Sequence, residues 1–243
     1  MMKRMMTVVL CVLLAAGVFA ACSADGGASA ENIEVMPTLL DTTEYTLYQN
    51  IFYNEMGADY EGTQVTKKGT FTTLYDAYND TARYYVWGYN DQTKCCDWQW
   101  EIKFDDVSSL PNNGSLVEVS GIFEASEEAL DGYWITNPTV TVETEYTPIK
   151  CDIDMATMSA TLERVEIANI RMLPEYFEGK TAALYGRMKS DSGVEHPYYD
   201  ETWEMAVSFD GEVPAFGTMV LVVGTITQGA ITDATVTQTT MYS

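Results

Sequence analysis

Two periodicities of apolar residues divide the chain into a few helices and a larger number of strands. Apolar residues at helical spacing predict helices over Glu44–Met56 and Met158–Met172. Elsewhere apolar and aromatic residues alternate with polar ones, and this period of two indicates half-buried antiparallel strands. The alternating segments are Arg83–Tyr89, Trp98–Phe104, Val117–Phe123, Tyr133–Val142, Trp203–Phe209, Val220–Thr227 and Ala230–Thr237. About five strands and one helix in each half predict a mainly β protein with short helices.

The two halves of the chain repeat one another. Pro111–Gly121 reappears 103 residues later as Pro214–Gly224. Further matches are Gly62 and Gly69 with Gly179 and Gly186 at an offset of 117, Trp100-Glu101 with Trp203-Glu204 at 103, and Ile135–Thr141 with Ile231–Thr237 at 96. Offsets that hold across several elements indicate a duplicated unit. Because the offset falls from 117 to 103, the first copy carries about 14 extra residues between Gly69 and Trp100.

The order of motifs in the second copy resembles the OB fold. A Gly-rich first strand within Tyr176–Met188 is followed by Pro214-x-x-Gly217 and then by Val220–Gly224, as in bacterial OB-fold proteins. The resemblance implies two tandem OB-like five-stranded barrels, each preceded by a helix. The expected domains are 44–145 and 154–243, with a linker near Pro148.

The first copy also resembles a group of uncharacterised Firmicutes lipoproteins with OB-fold-like domains. That group has a helix, then Tyr-x-Gly-Lys, and later Asp-x-Thr-x-Cys-Cys before a strand. The matching residues here are Tyr60, Gly62, Asp91, Thr93, Cys95, Cys96, Trp100 and Glu101, and Thr63 stands where the group has Lys. The resemblance implies a fold and a compartment, and it brings no activity.

Residues 1–21 have the features of a signal peptide. Lys3 and Arg4 precede an apolar stretch, Val8–Ala16, which is too short to span a membrane. The segment ends in Ala-Ala before Cys22, which resembles a bacterial lipoprotein signal with Cys22 as the lipidated residue. The alternative is an ordinary secretory peptide with an incidental cysteine. With residues 22–43 as a flexible tether, we expect a lipid anchor on the extracytoplasmic face of the cell membrane.

The charge of the chain is strongly acidic. There are 36 Asp and Glu against 13 Lys and Arg, and removal of residues 1–21 takes away two basic residues and leaves a net charge of −25. A surface of this charge repels nucleic-acid phosphates, so we expect no nucleic-acid partner. Solubility explains the charge equally well, and attraction of cations or basic peptides is the functional alternative.

The extra segment of the first copy is rich in aromatic residues. It falls over the second and third strands, where OB folds usually bind their ligands. The candidates for ligand binding are Tyr75, Tyr78, Tyr85, Trp87 and Tyr89, since aromatic rings on such a face can stack on sugars or bases. The alternative is that alternate rings fill the interior, although a small barrel is not expected to bury all of them.

Three cysteines remain once Cys11 and Cys22 are assigned to the signal and the anchor: Cys95, Cys96 and Cys151. One of the adjacent pair can bond Cys151 and close a loop of roughly 55 residues, which contributes about 4 kcal/mol. Alternatively the vicinal thiols can bind a soft metal ion with Asp91, Asp97 or Cys151, or they can be a buried structural pair. The spaced Cys or His pairs of ordinary zinc sites are absent from the sequence.

No catalytic motif stands out. His196 is the only histidine, and its place before Pro197 in a polar loop predicts surface exposure. A Gly-x-Ser-x-Gly elbow, a Walker loop and a dinucleotide fingerprint are all absent from the sequence. We therefore expect a non-enzymatic, lipid-anchored binding module with an unknown extracellular ligand or envelope protein as partner. The alternative is a metal- or thiol-active lipoprotein centred on Cys95 and Cys96, and apart from such a soft metal ion we expect no cofactor.

Overall fold

The computed structural model describes residues 47–53, 56–89, 97–196 and 204–239. They belong to one compact unit, Ile33–Ser243. The predictions for the signal peptide, for Cys22 and for the vicinal pair Cys95 and Cys96 therefore lie outside the described residues. The mainly β character predicted from the alternating segments is confirmed, and the strands form two sheets.

The first copy is a closed barrel of five strands. The strands are β1 (Gln64–Asp76), β2 (Thr81–Tyr89), β3 (Asp97–Ile102), β4 (Leu116–Ala125) and β5 (Tyr133–Thr144). Their order around the barrel is β1-β2-β3-β5-β4, and β4 pairs again with β1. A parallel contact between Ile102 and Ile135 joins β3 to β5, and every other pairing is antiparallel.

A π-helical turn, Gln49–Tyr53, and a short helix α1, Gly57–Tyr60, precede this barrel. Of the predicted helix Glu44–Met56 the structure describes residues 47–53 and 56, and residues 47–53 are helical, with the π-helical turn at Gln49–Tyr53; α1 follows after the predicted range. The rings of Tyr48 and Phe52 both meet Trp100 edge-on, with centroids 5.9 and 5.3 Å away. The π-helical turn thus places both Tyr48 and Phe52 against Trp100.

The second copy has a six-stranded sheet. Its elements are β6 (Ile153–Asp154), a 3₁₀ turn (Met155–Thr157), α2 (Ala160–Met172), α3 (Pro174–Phe177), β7 (Thr181–Ser190), β8 (Gly193–Glu195), β9 (Met205–Ala206), β10 (Met219–Thr227) and β11 (Ala230–Gln238). The strand order is β11-β10-β7-β8-β9, with β6 parallel to β7. A single parallel bridge between Val207 and Ile231 stands where the first copy joins β3 to β5.

Helix α2 is the predicted Met158–Met172 helix. Ser159 caps it, because its Oγ accepts a hydrogen bond from the amide of Leu162 at 3.2 Å. Such a cap satisfies one of the free amides at a helix start. The helix buries Leu162, Ile167 and Ile170 against the second sheet.

The strand registers repeat between the two copies. Gly69 lies opposite Val117, and Gly186 lies opposite Val220. The offsets of 117 and 103 read from the sequence therefore recur in the pairing of strands. For the third strand the sequence match is wrong by two residues: Trp100 lies opposite Val86, and Met205 lies opposite Val194, so the counterpart of Trp100 is Met205 rather than Trp203.

Glycines repeat for the same steric reasons. A Cβ on Gly69 would stand 2.4 Å from the carbonyl oxygen of Trp87, and one on Gly186 would stand 2.4 Å from that of Glu195. Gly62 and Gly179 share a positive φ, 76° and 77°. Close backbone approach at Gly69 and Gly186, and positive φ at Gly62 and Gly179, both favour glycine, so these four positions were detectable in the sequence as matched pairs.

The β1–β2 hairpin is the largest difference between the copies. The register pairs Thr70 with Trp87, 17 residues apart, in the first copy and Arg187 with Glu195, eight residues apart, in the second. Most of the extra segment therefore lengthens β1 and β2.

We expect Gly69→Ala and Gly186→Ala to destabilise the protein strongly and similarly, by about 3 kcal/mol or more, since the new methyl group meets a backbone carbonyl. Gly62→Asn is the comparison, because nothing lies within 4 Å of its Cβ and Asn tolerates positive φ, so it should cost less than about 1 kcal/mol. Urea unfolding measures all three. Equal losses at Gly62 and Gly69 would contradict the steric explanation.

Candidate functional site

The aromatic residues of the long hairpin lie inside the molecule. The exposed fractions of Tyr85, Trp87 and Tyr89 are 0%, 1% and 1%. Tyr85 packs in the same hydrophobic cluster as residues of α2 and β7, and the indole N–H of Trp87 donates to the carbonyl of Thr157 at 3.0 Å. Tyr85 and Trp87 thus pack against the second copy and Tyr89 packs on Trp87 beside Tyr146, so the three rings do not form the exposed stacking face proposed from the sequence.

Strand β2 is buried on both faces, which explains its composition. Val86 points into the barrel core, while Tyr85 and Trp87 point the other way, towards the second copy. A strand covered on both sides is apolar at consecutive positions and does not alternate. Exposed rings were expected because a single small barrel cannot bury all of them, and the second copy supplies the additional covering surface.

The two remaining candidates, Tyr75 and Tyr78, lie near the hairpin tip. Tyr75 is half-buried, and its ring meets Phe177 edge-on with centroids 5.2 Å apart. Its hydroxyl donates to Asp80 at 2.6 Å, and this bond, with burial, raises the pKa of Tyr75 to about 12. Tyr78 is 74% exposed, so of the five candidates it alone is open to a ligand.

A groove of about 670 Å³ lies on the first barrel beside the hairpin. It runs over β2 and β3, between the β1–β2 turn and the β4–β5 loop. Its lining combines charged side chains with aromatic ones: Asp76, Arg83, Tyr84, Glu101, Lys103, Phe104, Glu127, Glu128 and Trp134. The groove can therefore offer ion pairs, hydrogen bonds and ring faces to one ligand.

Arg83 organises the floor of this groove. Its guanidinium lies 3.0 Å from a carboxylate oxygen of Asp76 and 2.8 Å from one of Glu101. It also donates to the backbone carbonyl of Glu128 at 2.6 Å. Glu101 in turn accepts from the amide of Leu130 at 2.8 Å, so the pair fastens the β4–β5 loop to β2 and β3.

The pKa shifts of Asp76 and Arg83 both favour the charged form of the side chain. Burial acts to raise the pKa of Asp76, but hydrogen bonds from Asn79 and the charge of Arg83 outweigh it and hold that pKa below its usual value. Burial acts to lower the pKa of Arg83, and the ion pair with Glu101 keeps it above its usual value. Asp131 behaves differently, because burial and the charge of Glu101 both raise its pKa.

The wall of the groove is a cation–π pair. The ammonium of Lys103 lies 4.8 Å from the ring centre of Trp134 and 3.9 Å from a carboxylate oxygen of Glu128. At an exposed site such a contact contributes about 0.5–1 kcal/mol. Lys103 is therefore held by weak forces and can be displaced by a competing cation.

A second group of polar residues is buried between the two copies. His196 is only 7% exposed, which corrects the surface position predicted for it. Its Nε2 lies 3.6 Å from a carboxylate oxygen of Glu163. Burial lowers the pKa of His196 to about 3 and raises that of Glu163 well above its usual value, so burial disfavours the charged form of each group.

Asp97 begins β3 and caps helix α2 from the other copy. Its carboxylate accepts from the backbone amide of Thr161 at 3.0 Å. A carboxylate at a helix start compensates the free amides and the positive end of the helix dipole. The structure thus gives Asp97, proposed from the sequence as a metal ligand, a structural partner that links the copies.

Glu166 is a further buried acid on α2. One oxygen accepts from the amide of Tyr75 at 3.1 Å and the other is 3.5 Å from the side-chain amide of Asn169. Burial raises the pKa of Glu166 to about 8, against these two bonds. Glu163 and Glu166 share the apolar helix face with Ile167 and Ile170. Two acids within the apolar face of a predicted helix are a sequence signal for buried carboxylates, and this signal was overlooked.

Cys151 is a free thiol in the structure. Its Sγ is 3.4 Å from the carbonyl oxygen of Ile153, and burial together with Asp154 raises its pKa to about 12. A thiol with this pKa is protonated at neutral pH, which makes it a poor nucleophile and a poor metal ligand. Cys95 and Cys96, the two partners that the sequence offers for a disulfide with Cys151, lie outside the described residues.

The described residues contain no group of three or more His, Cys, Asp or Glu side chains placed to hold a metal ion. No helix among them is long and apolar enough to cross a bilayer.

Comparison with known proteins assigns no family to the chain. No protein-family model matches it, and no curated protein matches it significantly.

We expect Glu166→Gln to remove part of the pH dependence of stability. Between the ordinary pKa of a glutamate and about 8, folded Glu166 keeps a proton that the unfolded chain has lost, so the free energy of unfolding falls as pH rises through this window. The Gln variant has no proton to lose, and relative to wild type it should gain on the order of a few kcal/mol between pH 5 and 8.5.

Urea unfolding at several pH values measures this difference. Glu175→Gln, at an exposed position of α3, is the matched control and should keep the wild-type slope. An unchanged slope in Glu166→Gln would show that Glu166 ionises in the folded protein as it does in water.

Proposed function

We propose that the protein is a lipid-anchored, cell-surface binding module built of two tandem OB-like domains, and that the groove of the first domain receives its ligand. The strand order β1-β2-β3-β5-β4 with a parallel β3–β5 contact supports the OB-like assignment for the first copy. The repeated registers and glycines support a related ancestry for the second, in which the parallel bridge between Val207 and Ile231 corresponds to the Ile102–Ile135 contact of the first.

The single observation that carries the proposal is the position of the groove. OB folds bind their ligands over strands two and three and beside the loops that join strands one to two and four to five. The groove lies between these elements in the first copy. Its volume of about 670 Å³ also falls within the range of small-ligand pockets, roughly 300–1,000 Å³.

The charges of the groove favour a basic ligand. Four carboxylates line it, those of Asp76, Glu101, Glu127 and Glu128, against the two cations of Arg83 and Lys103. The first two carboxylates are paired with Arg83, and Glu128 has only a long, exposed contact of 3.9 Å with Lys103. Glu127, and Glu128 in exchange for that weak contact, are therefore the carboxylates that we propose for a partner. Since the whole chain carries a formal charge of −23, long-range attraction acts in the same direction. We therefore propose a lysine- or arginine-rich segment of an envelope protein as the ligand.

The second copy serves as a scaffold in this proposal. Its short β7–β8 hairpin ends at Ser190 and Gly193, and its helix α2 packs against the hairpin of the first copy. The long hairpin fixes one copy against the other, and the groove lies beside this contact: the hydroxyl of Tyr85 donates to Glu101 at 3.3 Å, and Glu101 pairs with Arg83.

We expect the double variant Glu127→Lys and Glu128→Lys to weaken binding of a fluorescent four-lysine peptide by about tenfold or more, because two exposed ion pairs of up to 1 kcal/mol each are replaced by repulsion. Glu175→Lys with Glu212→Lys is the matched control, since it changes the net charge equally at exposed positions outside the groove. Fluorescence anisotropy at fixed salt measures both. Equal weakening in the two variants would mean that only net charge attracts the peptide.

The anchor is tested separately. We expect Cys22→Ser to abolish lipidation and to move the protein from the membrane fraction to the soluble or unprocessed fraction, because a serine lacks the acylated thiol. Fractionation followed by immunoblotting measures the distribution. A Ser variant that is processed and retained like wild type would exclude the lipoprotein part of the proposal.

A further inference from the structure

The groove of the first copy already holds a cation that belongs to the chain itself. The ammonium of Lys103 lies 4.8 Å from the ring centre of Trp134 and 3.9 Å from a carboxylate oxygen of Glu128. All three residues line the groove. One positive group is thus received at this wall by an aromatic face and a carboxylate together.

The backbone places these groups side by side. The amide of Lys103 donates to the carbonyl oxygen of Ile135 at 2.9 Å, where the end of β3 meets β5, so Lys103 and Trp134 are neighbours across the two strands. The carbonyl oxygen of Glu128 accepts from the guanidinium of Arg83 at 2.6 Å, which fixes the backbone of the β4–β5 loop. Both parts of the wall are therefore positioned before a ligand arrives, and such ordering lowers the cost of binding.

The side chain of Lys103 is held loosely at this wall. It is 47% exposed, and the side chain of Glu128 is 78% exposed. Exposed ion pairs contribute little net free energy, and 3.9 Å is long for a contact between an ammonium and a carboxylate. Another cation that reaches the ring of Trp134 can therefore take the place of Lys103.

The exchange itself decides which ligand side chain gains from the wall. A ligand lysine that replaces Lys103 exchanges one ammonium for another, so the contacts with Trp134 and Glu128 are broken and made again without a gain. An arginine gains, because its planar guanidinium is less strongly hydrated than an ammonium and stacks on an aromatic ring while its N–H groups bond a carboxylate. The wall therefore favours arginine over lysine.

The neighbouring lining suits the stem of an arginine side chain. The rings of Tyr84 and Phe104 meet edge-on with centroids 5.3 Å apart, line the groove and pack against the barrel core. Arginine lays its methylene groups along apolar surface of this kind and keeps its charged end in water. Arg83 repels such a ligand little, because Asp76 and Glu101 compensate its charge.

We infer that Trp134 and Glu128 form an arginine subsite, which Lys103 occupies until the ligand displaces it. This inference rests on the proposed function, since it assumes that the groove receives a basic segment. It goes further by naming the side chain that the groove selects and the residue that competes with it. Trp134 determines the specificity, and Lys103 lowers the affinity for every cation that uses the Trp134 ring.

The test compares fluorescent four-arginine and four-lysine peptides on the full-length protein in detergent, by fluorescence anisotropy at one salt concentration. Wild type should bind the arginine peptide about two- to fivefold more tightly, which is the equivalent of one exposed cation–π contact. Trp134→Leu should remove this preference by weakening the arginine peptide, with little change for the lysine peptide. Trp134→Phe keeps an aromatic face and should retain part of the preference.

Lys103→Met measures the competition. Without the internal cation, the arginine peptide should bind about two- to fivefold more tightly than it binds wild type. Lys180→Met is the matched control, since it removes an equal charge from a lysine that lies 4.6 Å from the ring centre of Tyr75, outside the groove. Equal effects of the two lysine variants would overturn the competition, and this comparison holds even if Trp134→Leu fails to fold.

A double-mutant cycle separates competition for the ring from simple repulsion. Lys103→Met should lose most of its effect in a protein that also carries Trp134→Leu, because the ring for which the two cations compete is gone. A gain that persists in this double variant would reduce Lys103 to a local repulsive charge, and it would overturn the inferred competition.

The outcomes also distinguish this inference from the proposed function. Equal affinity of wild type for the two peptides, or an arginine preference that survives in Trp134→Leu, would overturn the arginine subsite. Either result would leave the attraction of the groove for basic segments, tested with the Glu127 and Glu128 variant, as it stands. Failure of both peptides to bind wild type would instead overturn the proposed function, and the subsite with it.

Discussion

The packing of the long β1–β2 hairpin against the second copy is the contact on which the rest of the structure depends. Tyr85, Trp87 and Tyr89 are almost fully buried, and Trp87 is tied by its indole N–H to Thr157 at the entry to helix α2. A buried aromatic ring removes on the order of 150–250 Å² from water, which is about 4–6 kcal/mol of gross hydrophobic free energy at 25 cal/mol per Å². Since net stabilities are about 5–15 kcal/mol, this contact is a principal part of the fold.

The same contact explains why so many polar groups are buried at the junction of the copies. Covering the hairpin with α2 also buries Glu163 and Glu166, and it brings Asp97 onto the helix start. Burial favours the protonated form of both acids, and the pKa values of Glu163 and Glu166 are raised accordingly. The same contact orders the neighbouring groove, since the hydroxyl of the buried Tyr85 donates at 3.3 Å to Glu101, the partner of Arg83 in the groove.

Much of the architecture could be predicted from the sequence, because local patterns determine it. Alternation in segments such as Val117–Phe123 placed the strands, and matched glycines such as Gly69 and Gly186 gave the register of the repeat. Predictions about exposure were less successful, because exposure depends on contacts distant in sequence. Trp87 and His196 lie in polar or mixed segments, and only the packing of one copy on the other buries them.

The site was harder to predict for the same reason. Arg83 and Glu101 are 18 residues apart, and each reads as an ordinary outward-facing residue of its strand. Their ion pair follows from the register of β2 on β3 and from a loop that returns from β4. Pairings of this kind become visible only when the strands are assembled.

The central claim is that the hairpin is structural and that the groove beside it binds a basic ligand. Hydrogen–deuterium exchange with and without a four-lysine peptide tests both parts in one measurement. We expect the peptide to slow exchange of the backbone amides of Thr81–Arg83, Lys103–Phe104 and the loop 126–132. The amides of Trp87 and α2 should exchange slowly with and without the peptide. Protection by the peptide at Tyr78 and along the second copy, with no change around Arg83, would contradict it.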